Sequence, residues 1–370
     1  MQSREDRRLR YVDSLRAIAA MLVLWVHVSE KFKDIAAPGS DWVHALTVPI
    51  NAGRIGVVTF FAISGFVIPF SIKLAHGHPV REFLVTRFFR LYPAYWLSIP
   101  FGILTTYWLW NGRFPMSAIL VNFTMVEDLF GVPPAIGLYW TLAVEIVFYL
   151  CCVVLVLTGS ITRYRLIGAV AALLVLLHAI VVPVLAALHS VGWYGPSLWA
   201  MHIGIMFWGT LYRAQMLGLA TSAFERMCLW GTAFVVIVVY PLLYARIGVA
   251  YMHTIDYSIG ILIFIVGTRL VRLGFAPLPW LGLISYSIYL FHPVVFNSLL
   301  WIAQTMPSAA WLRGWHLAWY VVVVLLLTIA FAALVYYLVE RPSIRLGRRL
   351  AKRWFGDGEP ASPQPVATLA

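Results

Sequence analysis

Residues 11–30 read Tyr11-Val-Asp13-Ser-Leu-Arg16-Ala-Ile-Ala-Ala-Met-Leu-Val-Leu-Trp-Val-His27-Val-Ser-Glu30. An unbroken apolar run separates Arg16 from His27. Extended to 12–33, the segment has the roughly 20 mainly apolar residues that a bilayer-spanning helix needs. Lipid offers a backbone no hydrogen bonds, and a helix satisfies its own within one segment. On such a helix the step from Arg16 to His27 is about three turns, so the two side chains share a face about 16 Å apart along the axis. Asp13 lies one turn below Arg16 and Glu30 one turn above His27, each within reach for pairing. Ionisable groups inside a span are costly, so this set is a candidate site. The plainer alternative is a helix-packing histidine beside a topology-setting arginine.

Similar apolar runs follow at 53–73, 91–111, 139–158, 164–188, 196–213, 228–246, 254–270, 284–304 and 317–339. The expected fold is all-α: a polytopic membrane bundle of about ten transmembrane helices. Composition agrees, because 62% of the 370 residues are hydrophobic and 11% are charged, whereas soluble chains are about half apolar and a quarter charged. The net charge of +12 suggests nucleic acid until its placement is considered. With the N-terminus inside, about twenty Lys and Arg fall in cytoplasmic segments and about six outside, which is the positive-inside pattern. The cytoplasmic clusters include Arg4 to Arg10, Lys73 to Arg90, and Arg341 to Arg353. A multi-pass protein of the cytoplasmic (inner) membrane is expected, with both termini cytoplasmic, the bilayer as partner, affinity for anionic lipid heads and no nucleic acid. Tyr107, Trp108 and Trp110 suit an interfacial aromatic belt. The first run is too long for a signal-peptide core and lacks a cleavage site.

Residues 1–11 form a basic cytoplasmic lead-in and 12–342 the membrane domain. Residues 343–370 form a basic, then Pro/Ala-rich cytoplasmic tail, expected to be disordered. The longest outer loops are 34–52 and 112–138, and 73–90 is a basic inner loop. No internal repeat is evident, which weighs against an inverted-repeat transporter. Cys151, Cys152 and Cys228 all fall in expected spans with no metal-ligand spacing, and no metal site is expected. Neither HExxH, a P-loop nor GxGxxG occurs.

Other segments carry candidate chemistry. Arg87 and Arg90 stand one turn apart just before the third span, where two guanidinium groups suit phosphates; the positive-inside rule alone also accounts for them. Pro93 follows near the expected helix start, where proline is tolerated. Ser64-Gly65 lies mid-span. The glycine permits close packing, and the serine is placed to contact substrate or bond its own helix. Glu145 lies inside its span and must be paired, hydrated or protonated. It is placed to steady an arginine or to move a proton. Trp140 and Tyr149 flank it. His292, before Pro293, either meets a ligand or packs. His44, His76, His78, His189, His253 and His316 fall in loops or at helix ends, and His178 and His202 in spans; all eight read as structural or solvated.

Six segments in order carry a family resemblance. Arg16-x10-His27 is similar to the opening signature of the acyltransferase-3 family of bacterial integral membrane O-acyltransferases. Gly56-Val-Val-Thr-Phe60-Phe61-Ala-Ile63-Ser64-Gly65-Phe66 resembles the family's second-helix motif. Arg87-Phe-Phe-Arg90-Leu-Tyr-Pro93 resembles RxxR(L/I)xP, and Tyr139-Trp140-Thr141-Leu142-Ala-Val144-Glu145-Ile-Val-Phe148-Tyr149 resembles WSLxVExxFY. Ile284-Ser285-Tyr286-Ser-Ile-Tyr289-Leu290-Phe-His292 resembles SYxxYLxH, and Glu340-Arg-Pro342 the terminal ExP. Thr141 replaces the usual serine and keeps a hydroxyl. Ile146 stands where a second acid is common. No appended SGNH-type domain is visible, so the chain resembles the membrane-only members.

The resemblance implies an O-acyltransferase with no bound cofactor and with acyl-CoA, most simply acetyl-CoA, as co-substrate. Its phosphates would meet Arg16, Arg87 and Arg90. His27 would deprotonate an acceptor hydroxyl, with Glu145 as a second catalytic candidate and Ser64, Trp140 and His292 as substrate contacts. Imidazole titrates near neutrality and is an apt general base. The implied acceptor is a carbohydrate, a lipid-linked sugar or a small hydroxylated metabolite. Two other functions remain compatible with the residues: a proton-coupled transporter or channel using His27, Glu145 and His292, and a non-catalytic scaffold of the same fold. The acceptor, the acyl group, the side of transfer, a covalent relay and the oligomeric state are left open by the sequence.

Overall fold

The computed structural model describes residues 10–40, 42–47, 50–181, 195–247 and 252–355. Among these residues every regular element is helical. The principal helices are α1 (Arg10–Phe32), α2 (Ala52–Val67), α3 (Pro79–Thr106), α4 (Trp140–Leu157), α5 (Tyr164–Leu176), α6 (Gly195–Met216), α7 (Ala223–Phe234), α8 (Tyr240–Ile247), α9 (Met252–Arg269), α10 (Ser285–Thr305), α11 (Leu317–Val335) and α12 (Arg341–Phe355). Single π-helical turns, Val235–Val239 and Tyr336–Glu340, join α7 to α8 and α11 to α12. Among the described residues each of the ten apolar runs meets a helical stretch, although 182–188 of the fifth run lie outside them. Six of these stretches are long and apolar enough to cross a membrane.

Local signals start several helices. The side chain of Asn51 accepts from the Arg54 amide at 2.9 Å and caps α2. Ser222 and Glu225 form a reciprocal capping box at the start of α7, which satisfies two otherwise unbonded amides. Pro79 opens α3, where its missing N–H costs nothing.

Three expectations need correction. The inner loop 73–90 ends early, because α3 begins at Pro79 and carries Arg81, Arg87 and Arg90 on a helix. Pro93 is consequently in the helix interior, together with Pro100. Neighbouring helices allow membrane helices to absorb such residues. The basic half of the tail is also ordered: α12 runs to Phe355 and packs along α3. The Pro/Ala-rich segment 356–370 lies outside the described residues, as do His189 and most of the lead-in.

Helices α1, α2 and α10 form the centre. The α2 span is 72% buried, whereas the span through α11 and α12 is 22% buried. Helix α1 packs on α2, α10 and α11, and α2 packs in turn on α6 and α9. Gly65 permits the α2–α6 contact, since a Cβ there would stand 1.8 Å from the Met206 carbonyl oxygen.

Candidate functional site: three spaces in series

The inward face of α1 borders two cavities that meet. The first, the arginine cavity, is narrow, about 90 Å³, and is lined by Arg16, Phe60, Phe61, Ser64, Arg87, Arg90, Glu145, Tyr286 and Tyr289 among others. The second, the histidine cavity, is about 590 Å³ and is lined by His27, Arg54, Trp140, His178, His202, Tyr240, Tyr244 and Tyr257 among others. Val57, Thr141 and Tyr289 line both. There the Thr141 and Tyr289 hydroxyls lie 2.7 Å apart. Both also lie within hydrogen-bond distance of the Leu138 carbonyl, at 3.0 Å and 3.2 Å, so their two protons are shared among three contacts. This hydroxyl pair stands between the two cavities.

The arginine cavity is an ion network. Arg16 Nη1 is 3.3 Å from Asp13 Oδ1. Arg87 donates to Ser71 Oγ at 2.5 Å and lies over the rings of Phe83 and Tyr149. The Tyr149 hydroxyl donates to Glu145 at 2.5 Å. Glu340 accepts from Ser287 at 2.7 Å and is electrostatically coupled to Arg90 and Arg16. The carboxylates Asp13, Glu145 and Glu340 thus face the guanidinium groups of Arg16, Arg87 and Arg90. Helices α1, α3 and α4 and the π turn after α11 supply these groups.

A third space, of about 670 Å³, continues from Arg87 and Arg90, which line it as well. Lys73, His76, Glu82, Arg348 and Lys352 surround this basic vestibule. Glu82 accepts from Lys73 Nζ at 2.6 Å and lies 2.6 Å from His76 Nδ1. Burial works against its charge, but these two partners hold its carboxyl below the ordinary value.

His27 faces the histidine cavity and keeps 31% of its side-chain surface accessible. Its Nδ1 is 3.7 Å from Glu30 Oε2, and its ring stacks on His292 with centroids 5.7 Å apart. His292 is buried and is not among the residues lining either cavity. Its Nδ1 donates to the Ile288 carbonyl at 3.1 Å, and its Nε2 has no hydrogen-bond partner among the described residues. The structure therefore sets His292 behind His27 rather than at the cavity wall. Glu145 is likewise apart from His27: it joins the arginines. Ser64 reaches the arginine cavity from the last turn of α2, within the candidate span Ala52–Ser71. Trp140 lies in the histidine cavity with its ring 5.3 Å from that of His202.

His178 and His202, read from the sequence as structural or solvated, are placed at the histidine cavity. Both are buried at the histidine cavity, His178 3.0 Å from the Tyr240 hydroxyl and His202 2.8 Å from the Tyr257 hydroxyl. They match no motif and sit on different helical stretches. The sequence shows that both lie inside apolar spans, where an ionisable side chain calls for a reason, but not that they meet at one cavity. Among the described residues no group of three His, Cys, Asp or Glu is placed to hold a metal ion.

Comparison with known proteins places this arrangement. The model of a family described as "Acyltransferase domain" (Acyl_transf_3) matches residues 9–337. The chain is 27% identical to a Bacillus subtilis protein named "Putative peptidoglycan O-acetyltransferase YrhL", over 95% of this chain and 57% of that protein. It is 25% identical to "Nodulation protein 10" of Rhizobium leguminosarum bv. viciae, over 92% of this chain and 95% of that protein. It is 26% identical to "Putative membrane-bound transacylase BcsY" of Komagataeibacter xylinus, over 91% and 83% respectively. The chain thus spans little more than half the length of the Bacillus relative. No solved structure matches significantly.

Proposed function

The chain belongs to the acyltransferase-3 family, and from that premise we propose that it moves an acetyl group from cytoplasmic acetyl-CoA to a hydroxyl of an envelope glycan or lipid-linked sugar. The observation that carries this reading is the junction of an arginine cavity with a histidine cavity at Thr141 and Tyr289. The donor's thioester reaches the junction from the arginine side, and the acceptor hydroxyl waits beside His27. The positive-inside pattern supports an arginine cavity that opens toward the cytoplasm and a histidine cavity toward the outer face. The relative named "Putative peptidoglycan O-acetyltransferase YrhL" supports a glycan acceptor, and the one named "Putative membrane-bound transacylase BcsY" supports acyl transfer at a membrane.

The Glu30 carboxylate near His27 Nδ1 favours the proton on that nitrogen and leaves Nε2 as the acceptor. Nε2 takes the proton of the acceptor hydroxyl as its oxygen attacks the thioester carbonyl. The carbonyl electrons move to oxygen beside the hydroxyls of Tyr289 and Thr141, one of which must turn from its present partner to donate to it. Collapse breaks the C–S bond, forms the ester and releases coenzyme A, which receives the proton. His292, stacked on His27, holds that ring in place. Glu145 balances the guanidinium groups that meet the donor. In an acyltransferase the buried ionisable groups serve the reaction, and the transporter reading of His27, Glu145 and His292 loses its motive.

The test is acetyl transfer from labelled acetyl-CoA in membranes that contain the native glycans. Wild type should label the lipid or polysaccharide fraction. His27→Ala, at matched expression, should lose about 10²–10⁴-fold of the rate, the usual share of a general base. Equal labelling in both would remove His27 from the chemistry, and no transfer by wild type would remove acetyl-CoA as the donor.

A further inference from the structure

With acyl-CoA as the donor, as proposed above, we infer that the basic vestibule seats its adenosine 3′,5′-bisphosphate end, and that the C-terminal helix α12 supplies two of the cations that hold it, Arg348 and Lys352. The balance of charge points there. In the arginine cavity the three guanidinium groups stand among three carboxylates, with Asp13 paired to Arg16 at 3.3 Å and Glu145 and Glu340 acting on Arg16 and Arg90, so less net positive charge is left over there for a polyanion. In the vestibule Lys73 is taken by Glu82. Arg348 and Lys352 have no ion-pair partner among the described residues, yet both line the space. They stand four residues apart on one face of α12. The volume of about 670 Å³ falls in the range of small-molecule sites.

Continuity and rigidity support the same seat. Because Arg87 and Arg90 line both the vestibule and the arginine cavity, a donor seated by its nucleotide threads its thioester arm between them. Helix α12 is fixed against α3: a Cβ on Gly347 would stand 2.5 Å from the Phe89 Cβ, and Ala351 is buried. Its cations are therefore held at the rim by a packed helix. Phosphates bind well to such fixed guanidinium and ammonium groups. Ile72, Phe83 and Ile344 add apolar wall against which an adenine ring can lie.

The experiment compares two donors in purified full-length protein reconstituted in phosphatidylglycerol-containing nanodiscs and in neutral ones, with the glycan or lipid fraction that wild type labels in the membrane assay supplied as acceptor. One donor is acetyl-CoA; the other is S-acetylpantetheine, which lacks the nucleotide. In the double variant R348Q/K352Q, the KM for acetyl-CoA should rise about tenfold or more, with kcat kept. The KM for acetylpantetheine should not change, and inhibition by free adenosine 3′,5′-bisphosphate should weaken in parallel. An unchanged acetyl-CoA KM, or an equal loss with both donors, would overturn the assignment. So would an effect of the double variant confined to phosphatidylglycerol discs, which would mark the two cations as lipid-headgroup ligands. Wild type inert toward both donors would instead strike the acyl-CoA reading, and this seat with it.

Discussion

Glu127 shows what burial does to a single carboxyl in the connection between α3 and α4. It is 1% exposed, its Oε1 has no partner among the described residues, and the Tyr95 hydroxyl is 3.4 Å from its Oε2. Burial pushes its pKa up to about 7 from an ordinary 4.5. Between those two values the folded protein holds a proton that the unfolded chain has lost. Stability should therefore fall as pH rises from about 4.5 to 7 and level off above, a loss on the order of 3 kcal/mol. Thermal unfolding in detergent at pH 5 and pH 8 checks this: Glu127→Gln should flatten the dependence and raise the melting temperature at pH 8. The same residue-level physics separates the two histidines of the motifs. His27 is open to the histidine cavity and faces Glu30, whereas His292 is spent on the backbone of its own helix. Spacing along the chain showed that each lies within a span. It did not show which one meets open space, because that depends on the helices around them.

At the scale of elements, the contact between α2 and α6 rests on small residues. Gly65 approaches the Met206 backbone, and Gly209 on α6 approaches the Ala62 carbonyl in return, where a Cβ would stand 2.4 Å away. Gly65→Ala must push two backbones apart. It should cost about 1–3 kcal/mol, the usual penalty for overpacking, and it should also disturb the cavity beside Ser64. The measurement is the melting temperature of the purified variant together with its acetyl-transfer rate; an unchanged melting temperature would mean that the helices accommodate a methyl freely. Helix boundaries were the least legible feature of the sequence. Hydropathy stops at the charged residues of 73–90 and 341–355, yet α3 is already helical from Pro79 and α12 runs from Arg341 to Phe355. Their charges lie toward solvent or the basic vestibule, so a drop in hydropathy there marks a change of surroundings and leaves the backbone conformation untouched.

For the whole molecule, the arrangement is a vestibule, a narrow arginine cavity and a wider histidine cavity in a row, with hydroxyls at the last junction. Two-sided access follows if donor and acceptor come from opposite faces. In a background with Cys151, Cys152 and Cys228 replaced, Ser64→Cys should be protected from a thiol reagent by acetyl-CoA. Tyr244→Cys should instead react with a membrane-impermeant thiol reagent added outside intact cells. Protection of Tyr244→Cys by acetyl-CoA, or its labelling only after the cytoplasmic face is opened, would reverse the assignment of donor and acceptor sides.

The sequence by itself determined the class of the molecule and much of its chemistry. Apolar runs of bilayer length require helices, and six ordered motifs name the family and most of the residues that line the arginine cavity. Pairings within one helix were legible too, because Asp13 with Arg16 and His27 with Glu30 follow from helical geometry alone. Only the tertiary structure decided which helices face one another. It gathered Arg16, Arg87, Arg90, Glu145 and Glu340 from distant segments, and it divided Glu145 from His27. It also brought His178 and His202 to the histidine cavity and carried Arg348 and Lys352 to the vestibule. The reason is physical: periodicity along a chain fixes the face on which a residue lies, whereas the neighbour on that face is chosen by packing between helices, through contacts such as those of Gly65 and Gly347 that no single helix encodes.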